Sequence, residues 1–160
     1  MAKKNPYRLR VSDVLKKDVV TVSADDTLQT ALELMAENHL TALPVVDGRD
    51  HCAGILSASD IVEIARTLNE EMHDLGRGDE ESYEWLRDNL ADHDMARHTV
   101  DEYMTDHVAT VSADVALTEA ASEMLRHRVH RLPVVDKKGK LRGIISTMDV
   151  LTAFVEGAPE

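Results

Sequence analysis

The sequence predicts an α+β fold: two tandem β-α-β-β-α motifs packed with pseudo-two-fold symmetry, with a helical insert between them. The first observation behind this is an internal repeat. Thr-Val-Ser-Ala-Asp at Thr21 to Asp25 recurs at Thr110 to Asp114, Leu-Pro-Val-Val-Asp at Leu43 to Asp47 recurs at Leu132 to Asp136, and Gly-Ile-x-Ser-x-x-Asp at Gly54 to Asp60 recurs at Gly143 to Asp149, each displaced by 89 positions. Val11 to Val62 thereby aligns on Val100 to Leu151 without a gap, with 19 of 52 pairs identical, so the repeat is not a chance match. The second observation is a change of period inside each repeat, from short β-branched runs to apolar residues at helical spacing. The third is size: 160 residues with 43% hydrophobic content and one cysteine can bury a core without disulfide staples.

Val19 to Val22 reads as a strand, followed by Asp25, Asp26 and Thr27 as N-cap candidates. Leu28, Ala31, Leu32 and Met35 then fall at i, i+3, i+4 and i+7, one face of a helix. Pro44 is tolerated at the start of a strand at Leu43 to Val46. Asp47-Gly48 supplies a turn, a strand runs from about Cys52 to Leu56, and a helix starts after Ser57. The second repeat predicts the same order: a strand at Val108 to Val111, a helix with Leu117, Ala120, Ala121 and Met124 as its stripe, strands at Leu132 to Val135 and Leu141 to Ile145, and a helix from Thr147 to about Glu156. Residues 1–10 form a basic tail, 11–65 the first motif, 66–99 the insert and 100–157 the second motif. A unit of about 52 residues buries little alone, so the repeats are expected to stack and form one shared core.

The insert carries four arginines against ten acids. Gly76-Arg77-Gly78 breaks it, and Asp79 can cap a helix whose first turn holds Glu80 and Glu81. Tyr83, Leu86 and Leu90 fall at helical spacing beside Trp85, the one tryptophan. The segment reads either as an amphipathic hairpin lying on the fold or as a lid or partner-docking arm.

Thirty acidic against 18 basic residues give a net charge of −12, which argues against a general nucleic-acid or anionic-membrane binder. Residues 126–142 run the other way, with seven basic side chains against Asp136 alone, and a small anion would meet a locally positive edge there. No apolar run approaches a membrane span, and the N-terminus lacks the apolar core of an export signal. Together with a lone thiol these features imply a cytoplasmic protein. The eight histidines show no metal-ligand spacing, Cys52 reads as a small packed residue at a strand start, and Gly76-Arg77-Gly78 lacks the context of a phosphate-binding loop. No catalytic or metal centre is expected, and the chain does not read as an enzyme.

Two constellations remain. Ser57 with Asp60, and Ser146 with Asp149, open the last helix of each repeat. A carboxylate there can accept hydrogen bonds from both hydroxyls of a ribose, with the serine and free helix N–H groups reaching a sugar or phosphate oxygen. The same pattern is also a capping box, and both readings stay open. Just before the Leu-Pro-Val-Val strand, Thr41-Ala42 in the first repeat aligns with His130-Arg131 in the second. That basic pair is either a phosphate contact or a solvated edge.

The doubled strand and strand-to-helix motifs resemble the cystathionine β-synthase (CBS) domain family, in which tandem motifs form one regulatory module. The resemblance covers both repeats, and the long insert departs from the family's short connection. It implies a non-catalytic sensor that binds adenosine-containing ligands between the motifs and pairs into a homodimer. AMP, ADP or ATP is the expected ligand, with NAD and S-adenosylmethionine as further candidates, and the output would pass to a protein partner in trans. The family pattern implies one well-equipped site from Ser57, Asp60, Ala109, Val129, His130 and Arg131. A second, lacking the basic pair, would use Val20, Thr41, Ala42, Ser146 and Asp149, so unequal occupancy is expected. Val20 and Ala109 would flank the adenine. The alternative function is a structural or protein-interaction module working through the insert helix, with little or no nucleotide binding.

Overall fold

A computed structural model of the chain describes residues 5–64 and 97–156. The insert features at Gly76 to Gly78, Asp79 to Glu81, and Tyr83, Trp85, Leu86 and Leu90 lie outside the described residues. The chain divides into two units, one drawn from Met1–Val19, Gly48–Cys52 and His107–Glu160, the other from Val20–Asp47 and Ala53–Asp106. We call these the repeat-two and repeat-one units, after the helices and strands they hold.

In the repeat-one unit, β1 (Val22–Ser23) runs parallel to β2 (Ala42–Val46), with Val22 opposite Val45. β3 (Cys52–Ser57) follows β2 in the sheet, and β4 (Thr105–Asp106) closes it antiparallel to β3, with Thr105 opposite Ile55. α1 (Leu28–Glu37) lies between β1 and β2 in sequence, and the chain is helical over residues 58–64, here α2. The repeat-two unit has α3 (Leu117–His127), the antiparallel pair β5 (Arg131–Val135) and β6 (Leu141–Ser146), and α4 (Thr147–Glu156). Single bridges extend that pair on both sides: Val111 lies parallel to Val134, and Lys16 antiparallel to Ile144.

These pairings disclose an exchange that periodicity does not show. Thr105 pairs with Ile55, whereas the equivalent Lys16 pairs with Ile144; Thr99 bridges Thr27, whereas Arg10 bridges Ala116. One partner moves forward by 89 positions and the other moves back. Each repeat's leading segment therefore completes the sheet of the other repeat. The segments also supply caps, because the first N–H groups of a helix have no partner inside it. The Leu117 N–H donates to the Leu9 carbonyl at 2.9 Å and the Leu28 N–H to the His98 carbonyl at 3.0 Å. Val11 donates to the Val115 carbonyl at 3.0 Å and Val100 to the Asp26 carbonyl at 2.8 Å.

The core follows the same rule. Among the described residues, the buried ones group into two clusters, one in each unit. Leu28, Ala31, Met35, Leu43, Val45 and Leu56 close around Val100 in one. Leu117, Ala120, Met124, Leu132, Val134 and Ile145 close around Leu9, Val11 and Val14 in the other. The expectation of a common core overlooked the apolar layer that the exchanged segments bring. Val11 and Val100 are fully buried, and each such side chain stabilises its cluster by roughly 1.5 to 3 kcal/mol. The strands expected at Val19 to Val22 and Val108 to Val111 shrink to Val22–Ser23 and to the single bridge at Val111. The first of them begins in one unit and ends in the other, so its early residues are spent crossing.

Close approach of backbones makes two glycines necessary. A Cβ on Gly54 would strike the Thr105 carbonyl, and one on Gly143 would strike the Lys16 carbonyl and Leu15. Gly143→Ala should therefore lower stability by about 1 to 3 kcal/mol. Gly48→Ala, where a Cβ meets nothing within 4 Å, should stay within about 0.5 kcal/mol of the parent; urea unfolding of both variants checks the contrast.

At the β5–β6 turn, Asp136 accepts from the Lys138 and Lys140 N–H groups at 2.8 and 3.0 Å and takes the Arg142 fork at 3.0 and 2.6 Å. The Arg142 hydrogen bond, ahead of those from the turn amides, holds the Asp136 carboxyl below the usual carboxylate range. A depressed folded value means that the contribution is present above the unfolded carboxyl pKa and is lost as pH falls through the folded one. In a carbon NMR titration Asp136 should titrate lower in the parent than in an Arg142→Gln variant; equal midpoints would contradict the assignment.

Candidate functional site

Both Ser-x-x-Asp sequences sit where a strand turns directly into a helix. At the end of β3, the Ser57 N–H and Oγ both donate to Asp60 Oδ2 at 2.7 Å, and the Asp60 N–H donates to Ser57 Oγ at 3.3 Å. At the end of β6, Ser146 gives Asp149 Oδ2 the same pair of bonds at 2.8 and 2.6 Å, and the Asp149 N–H returns one to Ser146 Oγ at 3.2 Å. This is the reciprocal arrangement of a capping box, so the capping reading holds at both junctions.

The cap engages Oδ2 of each carboxylate. The other oxygen, Oδ1, meets the exchanged segment. Thr105 Oγ1 donates to Asp60 Oδ1 at 3.4 Å, and Lys16 Nζ stands 3.5 Å from Asp149 Oδ1. Position 16 is the equivalent of position 105, so the two junctions differ here by a hydroxyl against an ammonium. Because a carboxylate oxygen has two lone pairs, each Oδ1 can accept from a bound hydroxyl as well as from its protein neighbour.

The pre-strand residues join these junctions through their backbones. The Thr41 carbonyl accepts from the Ala58 N–H at 2.9 Å, and the His130 carbonyl accepts from the Thr147 N–H at 3.0 Å. With the Ser and Asp amides engaged in the cap, most of the first-turn N–H groups expected to be free for a ligand are occupied. Thr41 and His130 expose their side chains, Arg131 is half-buried and Val129 is exposed. Ala42 is buried in β2, while Val20 and Ala109 are half-buried and pack against the repeat-one and repeat-two cores respectively.

Ser57, Asp60, Val20, Thr41 and Ala42 belong to the repeat-one unit; Ser146, Asp149, Ala109, Val129, His130 and Arg131 belong to the repeat-two unit. Within each unit the Ser–Asp pair and its pre-strand carbonyl come together. Lys16 and Thr105 escaped sequence reasoning because local pattern does not say which repeat's carboxylate a leading segment will reach. The positive edge at residues 126–142 is also partly neutralised: Arg126 pairs with Glu123 at 2.5 Å and Arg142 with Asp136 at 2.6 Å.

No helix among the described residues is long and apolar enough to cross a membrane. The CBS domain model matches residues 11–66 and 100–156, the two repeats. Inosine-5'-monophosphate dehydrogenase of Methanocaldococcus jannaschii is 32% identical over 142 residues, which is 89% of this chain and 23% of the dehydrogenase. The chain thus spans about a quarter of that enzyme. An uncharacterized protein of the same organism is 30% identical over 153 residues, 91% of this chain and 90% of that protein. Among solved structures, CBSX2 in complex with AMP is similar at a TM-score of 0.68 and 26% identity, with 90% of this chain and 94% of that one covered. The exchanged register, the doubled junction and the match over both repeats lead to one statement: the chain belongs to the CBS domain family, as a tandem pair.

Proposed function

We propose that this protein is a non-catalytic regulatory module that binds an adenine nucleotide at its Ser–Asp junctions and signals through its homodimer or a partner protein. The observation that carries the reading is the paired geometry of Asp60 and Asp149. Each carboxylate is fixed through one oxygen by the cap and presents the other as a pre-oriented acceptor. A ribose hydroxyl is a matching donor. The AMP held by CBSX2, a relative of nearly the same length, supports AMP, ADP or ATP as the ligand. The overlap with a dehydrogenase is confined to 23% of that enzyme and supports a regulatory role rather than a catalytic one.

On this reading Asp60 with Ser57 supplies a ribose contact in the repeat-one unit, and His130 and Arg131, with Ala109 and Val129, supply nucleotide contacts in the repeat-two unit. Asp149 with Ser146 supplies the second ribose contact, in the repeat-two unit, and Val20, Thr41 and Ala42 are further nucleotide contacts in the repeat-one unit. The cap and the ribose contact use different oxygens, so one aspartate performs both tasks. Homodimerisation is supported by the outer face of α4, where Met148, Leu151 and Val155 recur at helical spacing with 65%, 56% and 73% of their surface exposed.

Calorimetric titration tests the proposal. AMP should bind saturably, and Arg131→Ala should weaken it by about 1.5 to 3 kcal/mol through loss of a charge-assisted hydrogen bond. Adenosine should be little affected by that change. Absence of saturable binding by AMP, ADP and ATP would overturn the reading, and equal losses for AMP and adenosine would remove Arg131 from the phosphate.

A further inference from the structure

The two junctions are superposable in their caps and unequal at one place. Where Thr105 offers a neutral hydroxyl to Asp60, Lys16 brings a full positive charge to Asp149. The lysine is not there to fix the fold. Its side chain is 70% exposed, against 13% for Asp149, and a 3.5 Å contact made by a mobile, solvated ammonium adds little to stability. Its backbone is already held by two hydrogen bonds, from the Lys16 N–H to the Ile144 carbonyl at 3.1 Å and from the Ile144 N–H to the Lys16 carbonyl at 3.0 Å. The ammonium has three donors on a flexible stem, and the Asp149 contact engages one of them.

We infer that Lys16 is a binding residue that makes the Asp149 junction selective for a phosphorylated nucleoside over the bare nucleoside. The inference rests on the nucleotide reading above and adds to it a residue contributed by the exchanged leading segment. Two effects act in the same direction. A diol donating to Asp149 Oδ1 must share that oxygen with Lys16, which penalises a ligand that offers nothing in return. A phosphate on the same sugar takes up the ammonium's remaining donors, and the charge-assisted contact favours that ligand. At the Asp60 junction Thr105 also shares Oδ1, but as a neutral hydroxyl it brings no positive charge to a phosphate. The second site, expected from sequence to lack a cation, therefore has one from outside the pre-strand pair.

Calorimetric titration of the full chain with AMP and with adenosine tests this in the parent, Lys16→Thr, Lys16→Arg and Thr105→Lys. Lys16→Thr should weaken AMP about tenfold at one of the two sites while adenosine holds or gains, so the AMP-to-adenosine preference there collapses. Lys16→Arg keeps the charge and should keep the preference, which separates a ligand contact from a packing effect. Thr105→Lys should raise the preference at the other site. A parent-like preference in Lys16→Thr, in a parent that binds AMP, would overturn the role of Lys16 and leave the nucleotide reading standing. A parent that binds neither AMP nor adenosine would overturn both.

Discussion

The structure depends on the contact of each leading segment with the sheet of the other repeat. At Ile144 the Lys16 backbone both donates and accepts, and at Gly143 the two strands approach so closely that no side chain fits between them. The equivalent contact joins Thr105 to Ile55 beside Gly54. Without it, β3 and β6 would each present an unpaired edge, the first turns of α1 and α3 would lose the carbonyls that cap them, and each core would lack a fully buried valine. Neither unit is built from one repeat's sequence alone. A chain whose sequence repeats one module twice is two modules that exchange their opening segments.

That constraint also shapes the chemistry. The strand-to-helix junction needs a cap, and Ser-x-x-Asp provides it through one carboxylate oxygen. The exchanged segment arrives on the other oxygen because its strand pairs beside β3 or β6, whose last residue is the capping serine. The residue at position 16 or 105 is therefore placed at the acceptor by the pairing that closes the sheet. A sequence difference there, lysine against threonine, alters the junction without altering the fold. In this way two equivalent junctions differ in local charge while their caps stay the same.

Much of this was legible in the sequence. The 89-residue displacement set the equivalences, and of the expected helical stripes Leu28, Ala31, Met35 and Leu117, Ala120, Met124 are buried while Leu32 and Ala121 are half-buried at the margin of their clusters. The Ser–Asp junctions were found with both of their readings, and the structure forms the cap at each of them. The exchange was not legible, because self-alignment reports which residues are equivalent and not which are neighbours. Val11 and Val100 align whether each packs on its own repeat or on the other. The first strand, expected at Val19 to Val22, was overestimated because a β-branched run cannot show that it begins in one unit and ends in the other. Lys16 and Thr105 lie two links from any motif, and their role emerges only once the sheet order is known.

The central claim, that residues 5–16 complete repeat two rather than repeat one, is tested most directly by hydrogen exchange on a chain lacking residues 1–16. Protection should fall across Val111 to Val150, where the Val11 packing, the Leu9 cap and the Lys16 pairing are all lost, while Val22 to Val46 and Gly54 to Leu56 keep theirs under the Val100 segment. Loss of protection in repeat one with repeat two unaffected would contradict it.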